Sequence, residues 1–173
     1  MGQQYEENED VSTMEIVYKS IGIIHSFFSE LESMPIRPTS DASGPGMVEV
    51  FSPFDQGLKD LDGFSHIILL YHLHAVHGHA LTVTPFLDSE PRGIFATRAP
   101  TRPNPIGLSV VRLKKVVGNI LHVEDLDVLD GAPLLDLKPY VPDFDERPGA
   151  NIGWLEHAKG KVKGKKSDVR FKQ

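Results

Sequence analysis

The run RGIFATRAPTRPNPIGLS, residues 92–109, holds three arginines, three prolines and an asparagine where a plain strand or helix would carry almost none. Arg92, Arg98 and Arg102 present planar forks of donors suited to carboxylate or phosphate. Asn104 offers both a donor and an acceptor for a base edge or another polar group. Pro100, Pro103 and Pro105 exclude a helix and remove ladder donors, so the chain after Arg98 is expected to be a rigid, extended loop that leads into a strand. A proline-stiffened crossover whose arginines offset an acidic body would explain the prolines, but it explains Asn104 poorly.

A second concentration lies upstream. Five of the eight histidines fall in SHIILLYHLHAVHGH: His66, His72, His74, His77 and His79. Neutral imidazoles can hold a catalytic zinc, but this spacing matches no zinc signature and contains no HExxH. The reading is therefore no metal, with His74 at the strand end as a hydrogen-bonding residue of a cleft. A serine nucleophile is disfavoured as well. Neither Ser65 nor Ser109 sits in a GxSxG elbow, and Ser65 and His66, adjacent on a strand, are expected to face apart.

The whole chain bounds these readings. With 173 residues and 40% hydrophobic content it is long enough for one domain with a real core. The absence of cysteine excludes disulfides, thiolate metal sites and cysteine nucleophiles. No apolar run reaches the roughly 18 residues that span a bilayer, and the N-terminus is acidic, so a soluble, cytoplasmic protein without a membrane partner is expected. The net charge of −6 is segregated: residues 159–173 hold seven Lys or Arg against one Asp, leaving 11 basic and 23 acidic residues elsewhere. Residues 1–14 read as a disordered acidic leader, 15–158 as the folded domain, and 159–173 as a basic tail that is either solvated or a phosphate contact.

The elements that must position the loop are mostly strands. IVYKSIGIIHS (16–26), MVEVF (47–51), IILLYHL (67–73), ALTVTPF, GIFATR, GLSVVRLKKVV and ILHVEDLDVL carry β-branched or alternating patterns, with 67–73 expected to be buried on both faces. Helix signals are confined to FFSELES (27–33) and WLEHAKGKV (154–162). Many short strands between Pro and Gly turns predict a mostly antiparallel sandwich or barrel, and Gly44-Pro45-Gly46 lacks the third glycine of a dinucleotide fingerprint. In ILHVEDLDVL, Leu121 and Val123 have one parity and Leu126 and Val128 the other. A bulge at Glu124–Asp125 would put all four on one face; a strand buried on both faces is the alternative.

Taken together, GIFATRAPTRPNPIGLS (93–109), GFSHIILLYHLH (63–74) and LDVLDGAPLLDLKPYVP (126–142) resemble the TsaA-like, or TrmO-like, family of tRNA N6-methyltransferases. IGIIHS (21–26) and the Pro35–Pro38 segment are similar to the family's start, with the arginine displaced by one position. The resemblance implies a single-sheet antiparallel β-barrel with short peripheral helices, working as a homodimer. It implies use of S-adenosyl-L-methionine to methylate N6 of N6-threonylcarbamoyladenosine at position 37 of threonine tRNA.

Matching the family's motifs places cofactor contacts at Arg37, Pro38, Thr39, Leu73, His74, Arg98, Leu108, Glu124, Asp125, Leu126 and Asp127. The N6 nitrogen, part of a urea, is a poor nucleophile until its proton leaves, so a general base is expected. Asp127 is the candidate, unless it holds the ribose hydroxyls; Asp130, in an Asp-Gly turn, fits a cap for backbone donors better. Arg102 and Asn104 are candidate substrate contacts, Asn104 also in catalysis, and Tyr71 or Phe95 could stack on an adenine. Two other classes stay open: a module that binds cofactor or tRNA without catalysis, and a histidine-metal hydrolase.

Overall fold

The computed structural model describes residues 14–30, 44–86 and 88–158. Six strands close into an antiparallel barrel: β1 (Gly22–His25), β2 (Gly44–Val50), β3 (His66–His72), β6 (Ile106–Val117), β7 (Ile120–Leu126) and β8 (Ala132–Pro139). The order around the barrel is β1-β2-β7-β6-β3-β8. Two further strands, β4 (Thr82–Val83) and β5 (Arg92–Gly93), pair outside it, and α1 (Pro142–Asp145) is a single turn. The strand pattern left a sandwich or a barrel open, and the single-sheet barrel is the one that the family resemblance implies.

Alternation drives the closure. Along β6, Gly107, Ser109, Val111 and Leu113 point inward and the residues between them outward, which gives a sheet with one buried face. Ile24, Val48, Ile67, Leu69, Val111 and Leu121 fill the interior with no exposed surface. Burying each such side chain contributes roughly 1.5–3 kcal/mol. The strand expected to be buried on both faces is not: in β3 the outward residues Ile68 and Leu70 are half-buried, because nothing of the barrel lies outside them.

The bulge lies where the parity break falls. Gly46 pairs with Val123 and Gly44 with Leu126, so β7 spends one extra residue there, and Asp125 takes a left-handed conformation with φ 64°. Leu121, Val123, Leu126 and Val128 are consequently all buried on one face.

Other expectations fail locally. ALTVTPF and GIFATR yield only the two-residue strands β4 and β5, followed by a 3₁₀ turn at Ile94–Ala96. Val83, Ile94 and Ala99 form a small satellite core of their own there. Phe27–Glu30, the described part of FFSELES, is not helical, and Gly153–Ala158 is a 3₁₀ helix.

Candidate active site at one rim of the barrel

In this antiparallel topology the ends of β1, β3 and β7 and the starts of β2, β6 and β8 share one rim. The long excursion between β3 and β6, residues 73–105, and the β7–β8 turn both leave from it. The distant blocks singled out in the sequence therefore converge. Leu73 N–H donates to Pro105 O at 2.8 Å and pins the two ends of the excursion together.

Two inward polar side chains sit just inside this rim. Tyr71 lies opposite Gly107 in the β3–β6 register, and a Cβ on Gly107 would collide with the Tyr71 ring. Only glycine leaves room for that ring at the barrel mouth. Ser109 Oγ donates to Asp127 Oδ1 at 2.7 Å, and so Tyr71 O–H donates to Ser109 Oγ at 3.1 Å. Burial pushes the Asp127 carboxyl above the usual carboxylate range, against the opposing pull of the Ser109 hydrogen bond and the Arg98 charge. Burial, aided by the Asp127 charge, pushes the Tyr71 phenol up to about 12.

A small cavity opens beside this chain, lined by Tyr71, Leu73, His74, Val76, Pro100 and Asp127. Its lining is mainly apolar, with the Asp127 carboxylate as the charged group. Arg98 stands exposed on the excursion, and its charge is felt by both Asp127 and Tyr71. Among the described residues it is the one arginine with neither an ion pair nor a hydrogen bond to protein. Arg92 pairs with Asp88 at 2.7 Å, Arg112 with Asp125 at 3.4 Å, and Arg147 donates to Phe144 O at 2.6 Å.

The structure brings together Leu73, His74, Asp127 and Arg98 from the sequence-derived set. It places others differently. Leu108 points out of the barrel, 49% exposed, and Leu126 is fully buried in the core. Glu124 and Asp125 lie at the bulge in ion pairs with Lys114 and Arg112, at 3.3 and 3.4 Å. Asn104 is exposed on the loop. Arg102 is turned to the loop itself: its Nη1 donates to Ile94 O, Thr97 O and Ala99 O at 3.2, 2.9 and 3.4 Å. Asp130 caps the Ser26 N–H at 2.9 Å, the turn-capping role that the Asp-Gly pair suggests. Arg37, Pro38 and Thr39 lie outside the described residues, as does the basic tail.

One expectation is overturned. Ser65 and His66 do pair, with Oγ and Nδ1 2.9 Å apart, because Ser65 precedes β3 and is free of its alternation. They sit at the far end of β3 from Tyr71, away from the cavity. Among the described residues no three His, Asp or Glu side chains are grouped to hold a metal ion, and no helix is long and apolar enough to cross a membrane.

Ser109 and Trp154 carry roles that the sequence reading missed. Ser109 was signalled by its inward parity with Val111 on β6. Trp154, the lone tryptophan, donates from Nε1 to Ala96 O at 2.8 Å and stacks under Arg92 with 5.8 Å to the ring centre.

A closed antiparallel barrel with a half-buried carboxylate and, among the described residues, an unpaired arginine at its mouth defines a small β-barrel domain with a candidate ligand site at one rim, unlike any doubly wound nucleotide-binding sheet. Residues 23–146 match the tRNA-methyltransferase O N-terminal domain, and the chain belongs to that family. A Pyrococcus abyssi protein named as a probable S-adenosyl-L-methionine-binding protein is 53% identical over 90% of this chain and 85% of its own length. The Escherichia coli tRNA (adenine(37)-N6)-methyltransferase is 36% identical over 82% of this chain and 64% of its own. The crystal structure of TrmO from Pseudomonas aeruginosa superposes with a TM-score of 0.68 at 37% identity, over 82% of this chain and 63% of that one. The chain thus spans less than two thirds of the E. coli enzyme and of the P. aeruginosa structure.

Proposed function

We propose that this protein is an S-adenosyl-L-methionine-dependent tRNA (adenine-N6)-methyltransferase whose substrate is N6-threonylcarbamoyladenosine at position 37 of threonine tRNA. The observation that carries the reading is the half-buried Asp127, hydrogen-bonded by Ser109 and within the field of the exposed Arg98. Family membership and the E. coli relative's activity support it.

The donor set suits the cofactor. Arg98 offers its free fork to the methionyl carboxylate, Asp127 and His74 offer polar atoms to hydroxyl or amino groups, and Leu73, Val76 and Pro100 give apolar surface. When bound, the cofactor supplies an activated methyl group. The protein's own part is to align and to take a proton. Asp127, with its raised proton affinity, would take the N6 proton as the methyl carbon passes to the nitrogen from the cofactor's sulfonium sulfur, which would leave as a neutral thioether. Tyr71, neutral up to about 12, orients Ser109 and Ser109 orients the carboxylate. Asn104, exposed on the rigid loop, holds the modified base by donor and acceptor together. A homodimer in the cytoplasm is part of the proposal.

The test is transfer of labelled methyl from S-adenosyl-L-methionine to threonine tRNA, in parallel with the same tRNA lacking the threonylcarbamoyl group. Label on the modified tRNA alone is the expected result. The name of the P. abyssi relative favours a second reading, a cofactor-binding module without transfer. Tight cofactor binding with no label on either tRNA would establish it instead.

A further inference from the structure

Phe95 is 76% exposed at the tip of the Ile94–Ala96 turn, although its neighbour Ile94 is buried in the satellite core. A phenyl ring left in water is ordinary on a mobile loop, but this turn is held from three sides. Ile94 anchors it from below, Arg102 Nη1 ties its Ile94 carbonyl to those of Thr97 and Ala99 just beyond it, and Trp154 Nε1 donates to Ala96 O at 2.8 Å. The Arg102 guanidinium also lies over the Phe95 ring, 5.8 Å from its centre, which leaves most of the ring open. The turn therefore presents a fixed aromatic plate edged by a cation, and the exposed, unpartnered Arg98 follows three residues later.

We propose that Phe95, backed by Arg102, is a stacking plate for an unpaired nucleobase of the RNA substrate. A loop nucleotide supplies a π-face for the ring and negative charge for the guanidinium that lies over it, and loop bases splayed out of their stack are read in this way. Tyr71 cannot share that role, being buried inside the barrel. An apolar protein partner fits less well, since it would bury the Arg102 guanidinium that lies over the ring, 5.8 Å from its centre. The inference rests on the reading of the protein as a tRNA-modifying enzyme and adds a substrate contact outside the catalytic chain.

The test uses a tRNA anticodon stem-loop carrying 2-aminopurine at successive loop positions, titrated with the full chain. The wild type should quench one position and F95A should not. F95A should weaken RNA affinity roughly 5- to 100-fold, the range expected for loss of one aromatic stack. F95W should restore affinity and F95L should not, because stacking needs a ring. Cofactor affinity and the slope of log affinity against log salt should be unchanged in F95A, since no phosphate contact is removed. Unaltered RNA affinity in F95A, with the wild type still binding and methylating RNA, would overturn the plate and leave the enzyme reading standing. A fall in F95A's sedimentation coefficient without RNA would overturn it in favour of a contact between copies. No RNA binding by the wild type would sink both readings together.

Discussion

Ser109 Oγ and Asp127 Oδ1 lie 2.7 Å apart, joining the inward face of β6 to the residue that follows β7. The hydroxyl can give its proton only once. Since the carboxylate takes it, Tyr71 must donate to Ser109, and the chain runs in one direction from phenol to carboxylate. Tyr71, with its pKa pushed up to about 12, holds its proton throughout the working range, so Asp127 is the member that can accept one. A carboxylate that can take a proton, a partner that orients it and a cation whose charge reaches it are the parts that the proposed methyl transfer uses.

Asp127→Asn should abolish the base and keep the shape. Loss of a general base typically costs 10²–10⁴-fold in rate, and a methyl-transfer assay should show a fall of about that size. Stability should move the other way. Burial raises the folded-state pKa of Asp127 above its unfolded value, so the stability associated with its protonated form is complete below about pH 4 and is lost as pH rises through the folded value. Near neutral pH the variant should melt higher, by about 2–4 °C for each 1 kcal/mol of relieved desolvation, and its advantage should vanish in acid. A variant that loses stability at neutral pH would show the carboxylate to be structural.

Ser109→Ala removes the hydrogen bond that favours the charged carboxylate. Asp127 should then hold its proton to still higher pH, and the rising limb of the rate–pH profile should shift to the alkaline side. The buried Tyr71 hydroxyl also loses its partner, at a cost of about 1–3 kcal/mol in denaturant unfolding. A lower rate with an unmoved profile would mean that Ser109 packs without tuning the base.

Much of this site was legible before any coordinates. The parity break between Val123 and Leu126 foretold the bulge, because period-two alternation cannot put both inside without one. That bulge sets the register that delivers Asp127 to the rim. The Asp130-Gly131 turn was likewise written in its residue types, with Gly131 at φ 79°. The excursion was legible only after Arg98, where the prolines foretold a loop leading into β6, and not before it. Its apolar residues read as barrel strands, but they serve the satellite core of Val83, Ile94 and Ala99, and a pattern of burial does not say which core is being filled. The fork of donors that made Arg102 a candidate substrate contact suits backbone carbonyls as well as phosphates, and here one of its nitrogens faces three carbonyls. Ser65–His66 misled through a boundary, since alternation applies only from His66 onward.

Gly107→Ala tests whether the mouth of the barrel is as tightly fitted as the register implies. The added methyl meets the Tyr71 ring, which is itself tied to Ser109 and backed by the core, so neither can retreat freely. Overpacking of this kind costs about 1–3 kcal/mol, readable as a lower midpoint in denaturant with an unchanged slope. Gly107→Ala with Tyr71→Phe should recover little, because the collision is with the ring and not the hydroxyl. Full recovery in the double variant would place the strain at the oxygen instead.

Arg98→Ala should leave the fold alone. The side chain is exposed and touches no partner among the described residues, so the thermal midpoint should stay within the change expected of about 0.5 kcal/mol. Cofactor affinity measured by calorimetry should fall roughly 10- to 100-fold, the loss of charge-assisted hydrogen bonds worth about 1.5–3 kcal/mol. Arg98→Lys keeps the charge and loses the planar fork, so it should recover part of that affinity but not all. The same charge holds down the Asp127 pKa, and Arg98→Ala should therefore also move the rate profile to the alkaline side while Arg98→Lys should not. The two variants separate the arginine's grip on the ligand from its field at the base. Unchanged cofactor affinity in Arg98→Ala would remove this residue from the cofactor site and leave only its electrostatic effect on Asp127.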